Sequence, residues 1–257
     1  MNIFQKLKKI IYRLALFFKY HILFKDDHPS PDGSDMSHYC SRYFYRYPFL
    51  EQNHDTSLKN VLELLEKETY NTTYFGIPTI KLPLDFWVYQ EIIFKLKPDI
   101  IIEIGNYKGG HILALAHILD NIGKGKIIGI DIDQKSIPSI VKKHPRIKLI
   151  EGDACESFNK VKSLCKPKQI IMIIEDSSHS YDNTLNILRK YSSLVSLNSY
   201  FIVEDSICHH GLDIGPNPGP YEAIIDFIRE NHQFIIDRSK EKFLITWNIK
   251  GYLKRKK

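Results

Sequence analysis

Short apolar runs that each lead into an acidic residue recur through the middle of the chain. They read DIIIEIG from Asp99, KIIGIDID from Lys126, RIKLIEGD from Arg146, IIMIIED from Ile170 and SYFIVEDS from Ser199. The first run is β-branched and nearly continuous from Ile100 to Ile104, which is typical of a strand buried on both faces of a parallel sheet. We therefore predict a strand at each of these five places.

Stretches with helical length and composition separate these runs. One begins at Gly110 and ends near Gly123, a second lies near Ser136 to Lys143, a third follows Ala154, and a fourth lies between Tyr181 and Leu197. Strands and helices that alternate with short connections favour a doubly wound α/β sheet. In such a sheet, ligands bind at the carboxyl ends of the strands.

The two flanks of this repeat have different patterns. Upstream, DTSLKNVLELLEK from Asp55 predicts an amphipathic helix, and a proline-led turn opens a second helix between Lys81 and Asp99. Downstream, a helix from Tyr221 precedes QFIIDRS and KFLITWNIKGYL, which predict two strands joined by a tight turn. The predicted fold is therefore a Rossmann-like α/β sheet, mostly parallel, with a C-terminal antiparallel hairpin strand and N-terminal helices.

Length and composition divide the chain in two. The 257 residues suit one α/β domain, here residues 36–257 with a helical N-terminal cover, preceded by a basic amphipathic segment and linker in residues 1–35. Arg13 and Lys19 interrupt the apolar part of this segment, which excludes a signal-peptide core or a membrane span. The segment either lies on anionic lipid at the inner membrane or packs on the domain or a second subunit; we favour packing.

Charge and cysteine usage narrow the class of protein. Of the 36 Lys and Arg residues, eleven lie in residues 1–25 and 250–257, which hold no acid, so the rest carries 25 basic against 30 acidic residues. A net negative body excludes nucleic acid as a partner on charge grounds. Four cysteines without a C-x-x-C pair fit a reducing cytoplasm better than a disulfide framework.

A glycine-rich turn follows the first strand of the repeat. Gly105, Gly109 and Gly110 lie between that strand and the next helix. Glycine lets a ligand approach the backbone closely, and a helix N-terminus offers unpaired N–H groups, so we predict a nucleotide-like cofactor here. The spacing departs from G-x-G-x-x-G, and Glu103 stands two residues before the first glycine, which disfavours NAD.

Other residues are suited to hold that cofactor. The second strand, predicted from Lys126 to Asp133, ends in acids about 20 residues after the turn, where nucleotide-binding folds hold a ribose diol. Asp131 is the better candidate of these acids, and the alternative is a turn or cap acid. Asp153 ends the third strand and is suited to accept a hydrogen bond from a base amine. Trp87, Tyr89 and Gln90 could line the pocket, aromatic faces suiting an adenine or a sulfonium; the alternative is a helix that covers the sheet edge.

Two strand ends carry the more reactive groups. Glu175 and Asp176 end one strand, Glu204 and Asp205 end the next, and His179 follows Asp176 by three residues. If the two strands are neighbours, as a βαβ unit predicts, their carboxylates converge. Crowded like charges need a cation, and oxygen ligands favour Mg²⁺, with Ca²⁺ and Mn²⁺ as alternatives, over zinc. The other interpretation is a set of surface acids.

His179 has two interpretations at this site. An imidazole with an ordinary pKa of about 6.5 can accept a proton near neutrality, and a metal would acidify the hydroxyl that gives it up. Alternatively, His179 only hydrogen-bonds the site. A non-haem iron centre is disfavoured, because no H-x-D or H-x-E lies at a strand end.

From about Lys81 to the C-terminus, a series of motifs resembles one family. The motifs EIGNYKGG, GKIIGIDID, IKLIEGDA, IIEDSSHSY, SYFIVEDS, GPNPGPYEAI and GYLKR are together similar to the cephalosporin hydroxylase and rhamnosyl O-methyltransferase family. The resemblance implies a class I S-adenosylmethionine-dependent methyltransferase that uses Mg²⁺ and acts on hydroxyls of sugars or natural products. It also implies roles for particular residues: the cofactor site with Glu103, Gly105, Asp131 and Asp153, the metal ligands Asp176, Glu204 and Asp205, and the base His179.

Residues and resemblance together give the working hypothesis of a cytoplasmic, Mg²⁺-assisted O-methyltransferase. Its acceptor would be a small molecule or saccharide, such as a sugar, glycan or glycosylated metabolite, in polysaccharide biosynthesis, and the loop from Gly211 to Tyr221 would close over it. The alternative is a catalytically silent subunit of the same fold that docks on a partner or membrane. Peripheral membrane contact through residues 1–25 and assembly with a second copy stay open.

Overall fold

A computed structural model describes residues 57–257 of the chain. Residues 58–257 form one compact unit. The predictions for residues 1–35, and for the part of the 36–257 domain before residue 57, lie outside the described residues. Within residues 57–257, no helix combines the length and the apolar character that crossing a membrane requires.

Seven strands form the central sheet, and a short two-stranded ribbon precedes them. The ribbon consists of β1 (Thr73–Tyr74) and β2 (Ile77–Pro78). The strands of the sheet are β3 (Ile100–Ile104), β4 (Lys126–Asp131), β5 (Ile147–Glu151), β6 (Ile171–Glu175), β7 (Tyr200–Val203), β8 (Phe234–Ile236) and β9 (Tyr252–Arg255). They have the order β5-β4-β3-β6-β7-β9-β8, and strands β3 to β7 are parallel. Strand β9 runs antiparallel to both of its neighbours.

Helices cover both faces of this sheet. The helices are α1 (Leu58–Thr69), α2 (Pro83–Leu96), α3 (Gly110–Ile122), α4 (Ser139–Lys142), α5 (Ala154–Leu164), α6 (Tyr181–Tyr191) and α7 (Pro220–Glu230). On one face, apolar residues of α2, α3 and α4 form a core with side chains of the sheet such as Ile101. On the other face, α5, α6 and α7 pack against side chains such as Ile102 and Ile104. Each fully buried aliphatic or aromatic side chain contributes about 1.5–3 kcal/mol to folding.

The architecture confirms the predicted fold, a doubly wound and mostly parallel sheet with a reversed strand near the C-terminus. The strand order reverses at β3. The strands β4 and β5 lie on one side of β3, and the strands β6 and β7 lie on its other side. Ligands bind at the carboxyl ends of the strands around such a switch point. The residues that follow these strands are therefore the candidates for ligand binding.

The carboxyl ends of β3, β6 and β7 lie in register. Ile104 pairs with Glu175, and Glu175 pairs with Val203. The pairing continues one residue further, because the Asp176 amide donates to the Ile104 carbonyl at 2.8 Å and the Glu204 amide donates to the Glu175 carbonyl at 2.9 Å. The acidic residues after β6 and β7 therefore emerge side by side at one edge of the sheet.

The tight turn predicted between the last two strands is wrong. Strand β8 ends at Ile236 and β9 begins at Tyr252, so residues 237–251 connect them and the strand predicted from Lys242 is absent there. The reason is a long-range contact with α2. The carboxylate of Asp85 accepts hydrogen bonds from the Trp247 amide at 2.8 Å and the Thr246 hydroxyl at 2.5 Å, which fixes this apolar segment as a loop.

Candidate active site

The turn after β3 depends on glycine at its first position. Gly105 has a φ of 88°, a conformation that residues with a side chain seldom adopt. A Cβ added at this position would lie 1.9 Å from the carbonyl oxygen of Asp176. Because Gly105 has no side chain, the turn packs directly against the residue that follows β6. The glycine turn and the acidic strand end are therefore immediate neighbours.

A cleft of about 470 Å³, called here the main cleft, opens at the carboxyl ends of β3 to β6. Its size lies in the range of small-molecule and cofactor sites, and it occupies the switch point of the sheet. This is the position at which the sequence predicts a nucleotide-like ligand. Residues that line it include Gly105, Asp131, Gly152, Asp153, Asp176 and Asn183.

Asp131 lines the main cleft and also organises the glycine turn. Its Oδ2 accepts hydrogen bonds from the amides of Asn106 at 2.7 Å and Tyr107 at 3.0 Å, and its Oδ1 accepts from the amide of Asp133 at 3.2 Å. Asp131 therefore acts as a turn acid, which is the alternative role considered for it. Each carboxylate oxygen has two lone pairs, so capacity for a ligand hydroxyl remains.

Asp153 lines the main cleft at the start of α5. Its side chain caps that helix, because Oδ1 accepts a hydrogen bond from the Glu156 amide at 2.9 Å. An N-cap of this kind satisfies one of the helix's unpaired amides and holds the carboxylate in a fixed orientation. The structure thus brings together three of the predicted cofactor residues, Gly105, Asp131 and Asp153, around one cleft.

Glu103 lies behind the turn and does not line the main cleft. It is fully buried, its Oε1 forms a hydrogen bond with His111 Nδ1, and its Oε2 accepts from Asn106 Nδ2 at 3.3 Å. Burial raises the pKa of Glu103 to about 7 and lowers that of His111 to about 3. Glu103 therefore supports the turn through Asn106, and its predicted contact with a cofactor stays a prediction.

The three residues predicted on α2 also lie outside the lining of the main cleft. Trp87 is 58% exposed, Tyr89 is buried with its hydroxyl accepting from Asn248 Nδ2 at 2.7 Å, and Gln90 is half-buried. These positions match the alternative interpretation, a helix that covers the sheet. A cofactor contact for Gln90 has no support from this geometry and stays a prediction.

Four residues after β6 and β7 form what we call the acid cluster: Asp176, His179, Glu204 and Asp205. One ligand atom each from Asp176, His179 and Asp205 lie within 4.8 Å of one another. The Nε2 atom of His179 is 3.3 Å from Asp205 Oδ2 and 3.9 Å from Asp176 Oδ1. Their predicted convergence is confirmed, and Asp176 belongs to both the acid cluster and the main cleft.

Lys81 completes this cluster, although sequence reasoning missed it. Its Nζ forms ion pairs with Asp176 Oδ2 and, at 2.6 Å, with Glu204 Oε2. Burial alone would lower the pKa of Lys81, but the two carboxylates raise it well above its usual value, so the side chain is an ammonium. The available signal was a lysine between Ile80 and Leu82, in an apolar stretch that leads into α2.

The electrostatics of the acid cluster fit a hard divalent cation. Burial raises the pKa values of both Asp176 and Glu204, so the folded protein opposes the charge that these groups carry. Among the residues that the structure describes, Glu204 Oε1 is buried without a hydrogen-bond partner. Carboxylate oxygens are the ligands that Mg²⁺ prefers, and an ion there would supply the missing partner.

Burial alone would lower the pKa of His179, but Asp205 and Asp176 outweigh it and raise that pKa above its ordinary value.

Two residues of the acid cluster have unusual backbone conformations. His179 and Asp205 have φ values of 57° and 56° without being glycine. Such conformations cost about 1–3 kcal/mol each and persist where the surrounding structure imposes them.

The acid cluster has a second opening, on the side of Asp205. A small cavity of about 40 Å³ is lined there by residues that include Thr69, Ile80, Asp205, Ile207 and Trp247. The indole N–H of Trp247 is buried and has no hydrogen-bond partner among the described residues. The main cleft reaches the cluster at Asp176, and this small cavity reaches it at Asp205.

Comparison with known proteins identifies relatives along most of the described chain. The model of the Rhamnosyl O-methyltransferase/CmcI family matches residues 66–256. A rhamnosyl O-methyltransferase of Mycobacterium leprae (strain TN) is 33% identical over 196 residues, covering 72% of this chain and 83% of that protein. One of Mycobacterium bovis (strain BCG / Pasteur 1173P2) is 34% identical over 160 residues, so the chain spans 64% of that relative.

A solved structure of CmcI, described as a complex with Mg and SAM, matches with a TM-score of 0.60 and 22% identity, over 81% of this chain and 88% of that one. At this identity the likeness shows a shared fold, the doubly wound methyltransferase sheet. The family match and the Mycobacterium leprae relative carry the assignment of the sequence. The chain therefore belongs to the Rhamnosyl O-methyltransferase/CmcI family and is an O-methyltransferase.

Proposed function

We propose that this O-methyltransferase transfers a methyl group from S-adenosylmethionine to a hydroxyl of a sugar, glycan or glycosylated metabolite, with the assistance of Mg²⁺. The names of the relatives support the proposal, since two are rhamnosyl O-methyltransferases and a CmcI structure is described with Mg and SAM. One observation carries it: Asp176 lines the main cleft and also belongs to the acid cluster.

The main cleft would hold the methyl donor. Gly105 permits close approach to the backbone, Asp131 would accept hydrogen bonds from the ribose hydroxyls, and Asp153 would accept one from the base amine. The sulfonium of the bound donor supplies a methyl group that is already activated for transfer. The protein then has to align an acceptor oxygen with that methyl group and remove its proton.

The carboxylates of Asp176, Glu204 and Asp205 would hold Mg²⁺ at the acid cluster. Mg²⁺ held there would supply a Lewis acid, which lowers the pKa of an acceptor hydroxyl. His179 Nε2, which faces Asp205 at 3.3 Å, would accept the hydroxyl proton. The bond between sulfur and the methyl carbon breaks as the bond between that carbon and the acceptor oxygen forms, which leaves S-adenosylhomocysteine and the methyl ether.

The acceptor would approach from the side of Asp205, where the small cavity of about 40 Å³ has room for one small group of the acceptor and not for a whole sugar ring. Apolar side chains such as Ile80 and Ile207 line this cavity, and the indole N–H of Trp247, which has no partner among the described residues, lies beside it as a hydrogen-bond donor. A donor in the main cleft and an acceptor on this side would meet at the acid cluster. This arrangement is what an in-line transfer requires.

Calorimetry and a matched pair of variants test the proposed function. The intact protein is titrated with S-adenosylmethionine and then with Mg²⁺, and methyl transfer from labelled donor is measured on a panel of rhamnosyl glycosides and other sugars. Asp205→Asn should lower Mg²⁺ affinity at least tenfold while donor affinity stays within about twofold, because Asp205 does not line the main cleft. Asp213→Asn, which changes an exposed acid in the following loop, is the control.

Each outcome bears on one part of the proposal. Donor binding together with Mg²⁺-dependent turnover supports the proposed function, and loss of that dependence in Asp205→Asn supports the assigned metal site. Donor binding without any effect of Mg²⁺ and without turnover of the panel would contradict Mg²⁺-assisted transfer to these sugars. Failure of the intact protein to bind S-adenosylmethionine would contradict the proposed function.

A further inference from the structure

Lys81 contributes a buried positive charge to the acid cluster, and methyl transfer as proposed above gives it no task. The residue is 8% exposed and lies two residues before α2. Its Nζ contacts Asp176 Oδ2 and lies 2.6 Å from Glu204 Oε2. Both carboxylates belong to the predicted metal ligands. A lysine ammonium and a divalent cation therefore require the same two acids.

The remaining oxygens of these acids show what the ammonium leaves available. Asp176 Oδ1 faces His179 at 3.9 Å, and Glu204 Oε1 is buried without a hydrogen-bond partner among the described residues. An ion bound through these two oxygens would lie across the carboxylates from the lysine. Two cations held so close together in a buried site repel each other, since little water screens them.

Without a divalent ion, the same lysine has the opposite effect. Buried carboxylates that lack a cation destabilise the folded state, and the ammonium of Lys81 provides one. We infer that Lys81 is a resident counter-cation of the acid cluster, which stabilises the metal-free protein and lowers the affinity of the cluster for Mg²⁺. The inference rests on the proposed function, because it takes Asp176 and Glu204 to be metal ligands.

The inference differs from an ordinary ion pair in the sign of one measurable effect. A merely structural pair would cost stability when broken and would leave Mg²⁺ affinity unchanged or weaker, since the ligands become less well positioned. A counter-cation that competes with Mg²⁺ costs stability only in the metal-free protein. Its removal strengthens metal binding, because two acids regain their full charge toward the ion.

Lys81→Met provides the test, since methionine keeps an unbranched side chain as far as the ε position and removes the ammonium with its charge. Mg²⁺ affinity is measured by calorimetry, and thermal unfolding is followed with EDTA and with saturating Mg²⁺. We expect Lys81→Met to bind Mg²⁺ about tenfold more tightly than the natural protein, an effect of a charge lost from a poorly screened site. Its unfolding temperature should fall in EDTA and recover more with Mg²⁺ than that of the natural protein.

Two further variants make the comparison specific. Lys81→Arg keeps the charge and should keep the Mg²⁺ affinity within about threefold of the natural value, although its geometry differs. Lys242→Met removes a lysine that pairs with Glu91 in a more exposed setting, and it should change neither Mg²⁺ affinity nor the gain in unfolding temperature that Mg²⁺ produces. If Lys81→Met does not fold in EDTA, Lys81→Gln replaces it, because its neutral amide removes the charge and keeps two N–H donors near the buried carboxylates.

The Mg²⁺ affinities of the natural protein and of the Lys81 variants separate the inference about Lys81 from the proposed function. Equal or weaker Mg²⁺ binding by folded Lys81→Met or Lys81→Gln, beside normal binding by the natural protein, would overturn the inference and leave the proposed function intact. Absence of Mg²⁺ binding in the natural protein, in Lys81→Met and in Lys81→Gln would overturn both the inference and the proposed metal site. Binding that appears or tightens only when the charge of Lys81 is removed supports the inference.

Discussion

At the scale of single residues, Gly105 is a position in the site where a side chain meets two separate obstacles. Gly105 combines a left-handed backbone with direct contact against the Asp176 carbonyl. The positive φ imposes strain on any side chain, and the close carbonyl adds a collision. The two effects can be separated, because Gly123 has a φ of 81° and nothing within 4 Å of the position that a Cβ would take.

Gly105→Ala should therefore be far more costly than Gly123→Ala. For Gly123→Ala we expect a loss of about 1–2 kcal/mol in the free energy of unfolding, the cost of a left-handed residue alone. For Gly105→Ala we expect more than about 3 kcal/mol and the loss of S-adenosylmethionine binding, because the turn must move away from β6. Urea unfolding and calorimetry measure the two quantities; equal losses in both variants would show that the carbonyl contact is unimportant.

His179 can act as a base or as a ligand of the metal, and a substitution distinguishes these roles. As the base, it should leave Mg²⁺ and donor affinities within about threefold in His179→Ala, while the turnover number falls by about 10²–10⁴. As a ligand, it should lower Mg²⁺ affinity as well. Turnover and Mg²⁺ titrations on the same preparation separate the two, and undiminished turnover would exclude His179 as the base.

The residues of the acid cluster also show how far sequence reasoning reaches. Asp176 and Asp205 were predictable together, because each directly follows or closely follows a strand and the two strands are linked by one helix. Lys81 was not, since it lies 95 residues before Asp176 in the chain and no local pattern connects them. The partners His111 and Asn106 hold Glu103 behind the turn, and its contact with the cofactor stays a prediction.

At the scale of elements, α2 holds the C-terminal part of the chain in place through Asp85. Its buried carboxylate accepts hydrogen bonds from the Thr246 hydroxyl, the Trp247 amide and, at 2.9 Å, the Tyr252 hydroxyl. One side chain of a helix thus fixes both the loop of residues 241–251 and the first residue of β9. The sequence gives no sign of this contact, which explains why that loop was predicted as a strand.

Asp85 should make the stability of the protein depend on pH. Burial raises the pKa of Asp85 from 3.8 to about 6. Between these two pH values, the folded protein holds a proton on Asp85 that the unfolded chain has lost. The contribution of Asp85 to stability is therefore largest below about pH 4 and declines as the pH rises to about 6. We expect the difference in unfolding free energy between the natural protein and Asp85→Asn to shift by up to about 3 kcal/mol over this range, in favour of the natural protein at low pH.

Urea unfolding of both proteins at pH 4 and pH 7 measures that shift. Other titrating groups are common to the two proteins, so they cancel in the difference. A gap that stays constant between the two pH values would show that Asp85 is ionised in the folded state at both. A gap that favours the natural protein more at pH 7 would contradict the sign derived from its burial.

At the scale of the whole molecule, the alternation of apolar runs and helices sufficed to predict the sheet and its layers. Strands β3, β4, β6 and β7 are almost wholly buried, as their continuous apolar sequences require, and helices cover both faces. The details that depend on contacts distant in sequence were beyond prediction from one chain. The helix predicted near Ser136 to Lys143, for example, is limited to Ser139–Lys142, immediately after Pro138.

The two openings that meet at the acid cluster have a consequence for how such an enzyme diversifies. The walls of the main cleft come largely from the ends of β3, β4 and β5, whereas those of the small cavity come from α1 and the chain after β7. Exchange of the segment after Asp205 between relatives would thus change which alcohol is selected. The main cleft, where the methyl donor would bind, would stay unchanged. Laboratory evolution toward new acceptor alcohols should concentrate its diversity in the segment after Asp205.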